Sequence, residues 1–169
     1  AALQRQGVAY RLHMLGDGPE RPRYEAWASA HGLREVIFHG WVSREAVGRF
    51  DALAHFILLP SQSEGWPKVL SEAMAYGAVP IASAVSSIPQ ILAETGAGVA
   101  RPVDDIDGMA AAIIDYVNHP GEWLAASRAG AAVAARFGYR AYQDAVRGLF
   151  AAAWGIDLAA DRRTPTTDY

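Results

Sequence analysis

The chain has 169 residues, 51% hydrophobic and 20% charged, with a net charge of −3 and a pI near 5.9, a profile that fits one soluble globular domain with a sizeable core. That balance excludes a bulk basic field for nucleic acid, and the complete lack of cysteine excludes disulfides, thiolate metal sites and cysteine nucleophiles. No apolar run approaches the roughly 18 residues of a membrane span, and no basic segment followed by an apolar one opens the chain as a signal peptide would.

The chain begins AALQRQGVAY without a methionine, and residues 1–6 read as the tail of a helix, so the sequence is expected to be a fragment of something longer. Residues 8–15 (VAYRLHML) are strand-like and stop at the turn cluster Gly16-Asp17-Gly18-Pro19. Residues 20–31 suit a helix closed by Gly32. Residues 36–39 form a second short strand ahead of Gly40, and Ser43 is placed to cap a helix running to about Ala54. Residues 55–60 (HFILLP) read as a strand buried on both faces of a parallel sheet. Pro67 then takes the first helical position, followed by Leu70, Ala73, Met74 and Gly77 as one packed stripe. Residues 79–83 and 98–103 are two further strands. Beyond them Ile106, Met109, Ala110, Ile113, Ile114 and Val117 repeat at helical spacing, with helices also expected over 122–136 and 140–154. The division is therefore a domain over 1–155 and a polar tail over 156–169. Met14, Met74 and Met109 are assigned to the core, and the five histidines show no ligand spacing, so no metal site is expected.

Strands alternating with helices across short joints imply an α/β fold, a parallel Rossmann-like sheet flanked by helices with a helical C-terminal part. Ligands collect at the carboxyl ends of such strands, which singles out the loops at 16–19, 40–42 and 60–67. The third reads Ser61-Gln62-Ser63-Glu64-Gly65-Trp66-Pro67-Lys68-Val69-Leu70-Ser71-Glu72. It places Glu64 in a loop and Glu72 in the second turn of a helix, not on one helix face. The first turn between them offers free N–H groups and a partial positive charge, a ready anion site, with Lys68, the chain's lone lysine, beside it. A diphosphate with hydroxyl-rich groups at both ends suits that pattern.

The stretch SQSEGWPKVLSEAMAYGAVPIAS resembles the E-x7-E region of the large retaining glycosyltransferase family that includes bacterial mannosyl-, galactosyl- and N-acetylglucosaminyltransferases. LHMLGDGPE, VIFHGWVSREAVGRFDALAHFILLPS and SSIPQIL…GAGVARPVDD resemble the same family's other blocks, in order, so the likeness covers roughly residues 8–118. The resemblance implies one half of a GT-B enzyme, the C-terminal donor-binding domain. It implies sugar transfer with retention from a UDP-, GDP- or ADP-sugar, with no metal and no further cofactor. Carried over by position, Glu64 is the catalytic-site glutamate on the donor-sugar hydroxyls and Glu72 holds the ribose. The amides after Gly65, at Lys68 and Val69 above all, face the distal phosphate. Gly16 and Gly18 admit the pyrophosphate, and the turn with Trp41 and Val42 lies against the nucleobase.

Some side chains keep two readings. Trp66 walls the donor pocket or packs on the sheet edge, Trp41 is a packing or base-flanking residue or else a specific contact, and Lys68 binds phosphate or is an ordinary surface lysine. Pro67, Gln90 and His55 stand where the family commonly has glycine, glutamate and aspartate. The family's phosphate-binding arginine and lysine and its N-terminal acceptor domain are expected upstream of these residues, leaving this fragment unable to turn over alone. Peripheral membrane contact, common where acceptors are lipid-linked, would be made through that missing domain, with the enzyme in the cytoplasm or at the inner face of the membrane. Two other readings compete: a non-catalytic nucleotide-binding module on the same fold, and a related nucleotide-sugar epimerase.

Overall fold

A computed structural model describes residues 1–158, so the expected tail lies outside the described residues from 159 onward. Five strands, β1 (Leu12–Leu15), β2 (Val36–Gly40), β3 (Phe56–Leu59), β4 (Val79–Ser83) and β5 (Val99–Arg101), alternate with helices α1 (Ala2–Arg5), α2 (Arg21–Ala30), α3 (Arg44–Leu53), α4 (Lys68–Ala75), α5 (Ile88–Thr95) and α6 (Ile106–Asn118). Helices α7 (Pro120–Ala134) and α8 (Tyr139–Trp154) complete the C-terminal part. Among the described residues every strand ladder is parallel, in the order β1-β2 and β3-β4-β5. The α/β class with helix-flanked parallel sheets is therefore as the residue pattern implies.

Local chemistry sets most boundaries. Ser43 Oγ accepts from the Ala46 amide at 3.2 Å and so caps α3. The Asp105 carboxylate caps α6 in the same way, accepting from Gly108 N–H at 2.9 Å. Pro120 opens α7, where its missing N–H has no partner to lose. Pro67 differs from expectation by one position. It is the N-cap of α4, in extended backbone, and its carbonyl accepts from Leu70 N–H at 3.1 Å.

The core lies on both faces of β4. Leu70 and Met74 from α4, Ile88 and Leu92 from α5, and Ala134 from α7 pack with Ala82 on one face, while Ile81 meets Met109, Ala112 and Ile113 of α6 on the other. Full burial of a side chain such as Leu70 or Met74 stabilises the fold by about 1.5–3 kcal/mol, so α4 is fixed firmly beneath its own N-terminus.

Four sequence expectations about strands and burial are corrected. The strand buried on both faces is β4, all five residues of which are buried, whereas β3 is only half-buried. Met14 is 36% exposed instead of core, and Ile106 at 70% leaves the apolar face of α6 open at its end. No ladder joins β1 to β3 among the described residues. A cavity of about 2170 Å³ separates them, lined by Leu12, Met14, Leu58, Phe50, Ile106 and Met109 among others. The run at 8–15 is shortened to β1 (Leu12–Leu15), and residues 8–11 pair with no strand among the described residues. No helix among the described residues is long and apolar enough to cross a membrane.

Candidate functional site

The loop after β3 is built around free backbone donors. Pro67 halts the extended chain and α4 starts at Lys68, so the first-turn amides have no carbonyl one turn back. Among the described residues, the amides of Gly65, Trp66, Lys68 and Val69 have no hydrogen-bond acceptor. Lys68 and Val69 are exposed, and the Glu64 side chain is half-buried. Trp66 anchors the loop from below. Its ring stacks on Phe137 with centroids 4.3 Å apart and packs against the Leu70–Met74 core. Trp66 Nε1 and Ser83 Oγ, the latter at the end of β4, are buried without a partner among the described residues.

Glu72 stands in the second turn of α4, as the sequence places it. Its carboxylate lies 3.7 Å from Arg44 Nη2 and faces Asp51 of α3. Burial first, and the Glu72 charge second, hold the Asp51 carboxyl above the usual carboxylate range.

The loops after β1 and β2 are stitched together. Gly16 N–H donates to the Gly40 carbonyl at 2.8 Å, and both glycines have positive φ, +114° and +69°. The positive φ of Gly40 favours glycine in this turn, and a Cβ there would also stand 2.5 Å from Arg21 Nη1 and displace that side chain. Arg21 is held by Glu25 at 2.7 Å and by Asp17 at 3.4 Å, and its hydrogen bond to Glu25 is the chief cause raising its pKa. Gly18 N–H is taken up by the Asp17 carboxylate at 2.8 Å. Trp41 is 80% exposed, while Val42 is half-buried. Behind this turn His13 Nδ1 and His39 Nε2 share a hydrogen bond of 2.8 Å over Phe50. Burial, then the neighbouring His39 and Arg11, lower the His13 pKa.

Of the residues singled out in the sequence, Gly16, Trp41, Val42, Val69 and Glu72 line the cavity between β1 and β3. Gly18, Glu64, Gly65, Trp66 and Lys68 belong to the same two loop systems but do not line it. A different cluster, Asp115, His119 and Glu122, brings one ligand atom from each residue within 4.8 Å of the others. It is exposed and lies at the amino edge of the sheet, where Trp123 Nε1 donates to the carbonyl of His55 just ahead of β3. Sequence reasoning missed Arg44, Asp51, Phe137 and the serines at 86 and 87. Phe137 carries no motif, and the other four belong to blocks quoted only for their likeness.

Comparison with known proteins settles the family. The sequence profile described as "Glycosyl transferases group 1" matches residues 1–143. The chain belongs to that family. It is 33% identical over 97 residues to the lipopolysaccharide 1,6-galactosyltransferase of Salmonella typhimurium, covering 56% of this chain and 27% of that enzyme. Sucrose-phosphate synthase from Thermosynechococcus elongatus superposes with a TM-score of 0.72 at 28% identity, over 84% of this chain and 39% of the synthase. HepE of Anabaena, solved in complex with UDP, has the same fold, with a TM-score of 0.75 at 17% identity over 84% and 41% of the two chains. The group 1 domain described here thus spans well under half the length of each of these proteins, and its parallel sheets flanked by helices are those of GT-B glycosyltransferases.

Proposed function

We propose that these residues form the donor-binding half of a retaining glycosyltransferase, which holds a nucleotide sugar while the rest of the enzyme presents the acceptor. The observation that carries this reading is the turn of free amides between Glu64 and Glu72 at the carboxyl end of β3. A diphosphate there takes hydrogen bonds from Gly65, Trp66, Lys68 and Val69 without displacing any protein acceptor, and the start of α4 adds its partial positive charge. In a water-poor cleft such preorganised donors stabilise the negative charge that grows on the departing phosphate, a role that asks for no metal.

Glu64 accepts from the donor-sugar hydroxyls on one side of the phosphates and Glu72 from the ribose on the other. Gly16 and Gly18 give the pyrophosphate close access to backbone, and Trp41 with Val42 faces the base. Lys68 supplies a mobile cation. Trp66, through its stack on Phe137, holds the loop and leaves the wall of the pocket to others. Holding both reactants in register is then the main contribution of the protein.

Calorimetric titration of the full-length protein with UDP-, GDP- and ADP-sugars, with and without EDTA, tests the proposal. Saturable one-site binding of one nucleotide series, unchanged by EDTA, is expected. Failure to bind all three series would overturn it.

A further inference from the structure

The turn between β4 and α5 grips the backbone of the Glu64 loop. Ser86 Oγ donates to the carbonyl of Glu64, and Ser87 Oγ donates to the carbonyl of Gly65 at 3.1 Å. Both bonds bridge 22 positions of sequence, so neither is a by-product of local turn geometry. Ser86 also sits at φ +49°, in the left-handed region that side-chain-bearing residues seldom enter. The turn therefore holds an unfavourable conformation at the residue that reaches the loop.

In a trans peptide the carbonyl and the following N–H point in opposite directions. With the carbonyls of Glu64 and Gly65 drawn toward the serines, the N–H groups of Gly65 and Trp66 are turned away from them. Those are two of the four loop amides that have no acceptor among the described residues. Without the hydroxyls, these peptide planes lose the restraint that sets the direction of the two amides.

We propose that Ser86 and Ser87 are positioning residues, which act through the loop backbone to aim the Gly65 and Trp66 amides at a diphosphate. The inference rests on the donor-site reading above and adds to it a pair of residues that need not touch the ligand. It also explains why a strained serine occupies position 86: glycine would relieve the backbone and lose the hydrogen bond.

The test is calorimetry of the full-length protein with UDP and UMP. Ser86→Gly keeps the backbone conformation accessible and deletes one hydroxyl, Ser87→Ala deletes the other, and Ser87→Thr restores it. The double variant S86G/S87A is expected to bind UDP about tenfold more weakly, the scale of one or two neutral hydrogen bonds. UMP, which lacks the second phosphate, should lose less than threefold, and S86G/S87T should recover part of the loss. A fall in melting temperature with unchanged UDP affinity would make the serines merely structural and overturn the inference. So would equal losses for UDP and UMP. If the unmodified protein binds neither ligand, it is the donor-site reading that fails instead.

Discussion

Replacing Glu72 and Glu64 one at a time separates the two ends of the bound ligand. A hydrogen bond to a charged group contributes about 1.5–3 kcal/mol, or roughly 10- to 160-fold in affinity. The Glu72 side chain is 46% exposed and shares its charge with Arg44 at 3.7 Å, so solvent screening puts the effect at the lower end. Glu72→Ala should therefore weaken UDP and a UDP-sugar alike by about tenfold. Glu64→Ala should weaken the UDP-sugar by about the same factor and leave UDP within about twofold. Arg44→Ala is the control: its side chain is 95% exposed, and such surface pairs contribute little, so affinity should stay within about twofold. Isothermal titration of the three variants against both ligands gives six constants. If both glutamate variants lose equally for both ligands, the assignment of Glu64 to the sugar and Glu72 to the ribose is wrong.

Other substitutions test the packing beneath the site. A Cβ on Gly130 of α7 would stand 3.4 Å from Met74 Cγ and 3.6 Å from Ala97 Cβ, ordinary contacts, so Gly130→Ala should gain about 0.5–1 kcal/mol of helix stability and raise the melting temperature. Gly98→Ala should do the opposite by about 1–3 kcal/mol, since its Cβ would sit 2.4 Å from the Pro80 carbonyl oxygen, which is backbone; denaturant melts read both. Leu70→Ala, at a fully buried site under the first turn of α4, should cost about 2–5 kcal/mol in the same melts. Asp51 titrates above its unfolded value near 3.9, so the native state binds its proton more tightly and stability falls as pH rises through that window. Asp51→Asn should accordingly raise the melting temperature at about pH 7, with the gain vanishing by about pH 3, below the unfolded pKa; an equal gain at both pH values would contradict this.

Element identity was legible because each signal was local. Ser43 three residues ahead of its partner amide, Pro120 at a helix start and the stripe of Leu70, Ala73 and Met74 all act within one turn. Burial was less legible, because a run such as FILL has the same composition whether one neighbour or two lie beside it. Its sheet position decides, and β4 took the central place instead. The same limit applies to the site. The free amides at the start of α4 follow from Pro67 and the helix that begins behind it. The grip of Ser86 and Ser87 on the loop spans 22 residues and has no period to betray it.

The gap between β1 and β3 divides the molecule's resistance to unfolding. Among the described residues no ladder joins the parallel β1–β2 pair to the larger sheet, and helix contacts, α1 on α6 and α3 on α4, help to tie the two together. The smaller unit should open first and exchange its amide protons at a lower free energy than β4, whose opening requires loss of the whole core. Each strand flanking the gap also presents unpaired backbone groups, which act as templates for adding another strand. The described residues thus carry the loops of the proposed donor site on two separable units, and the distance between the loop after β1 and the loop after β3 is a property that strand addition at those edges would set.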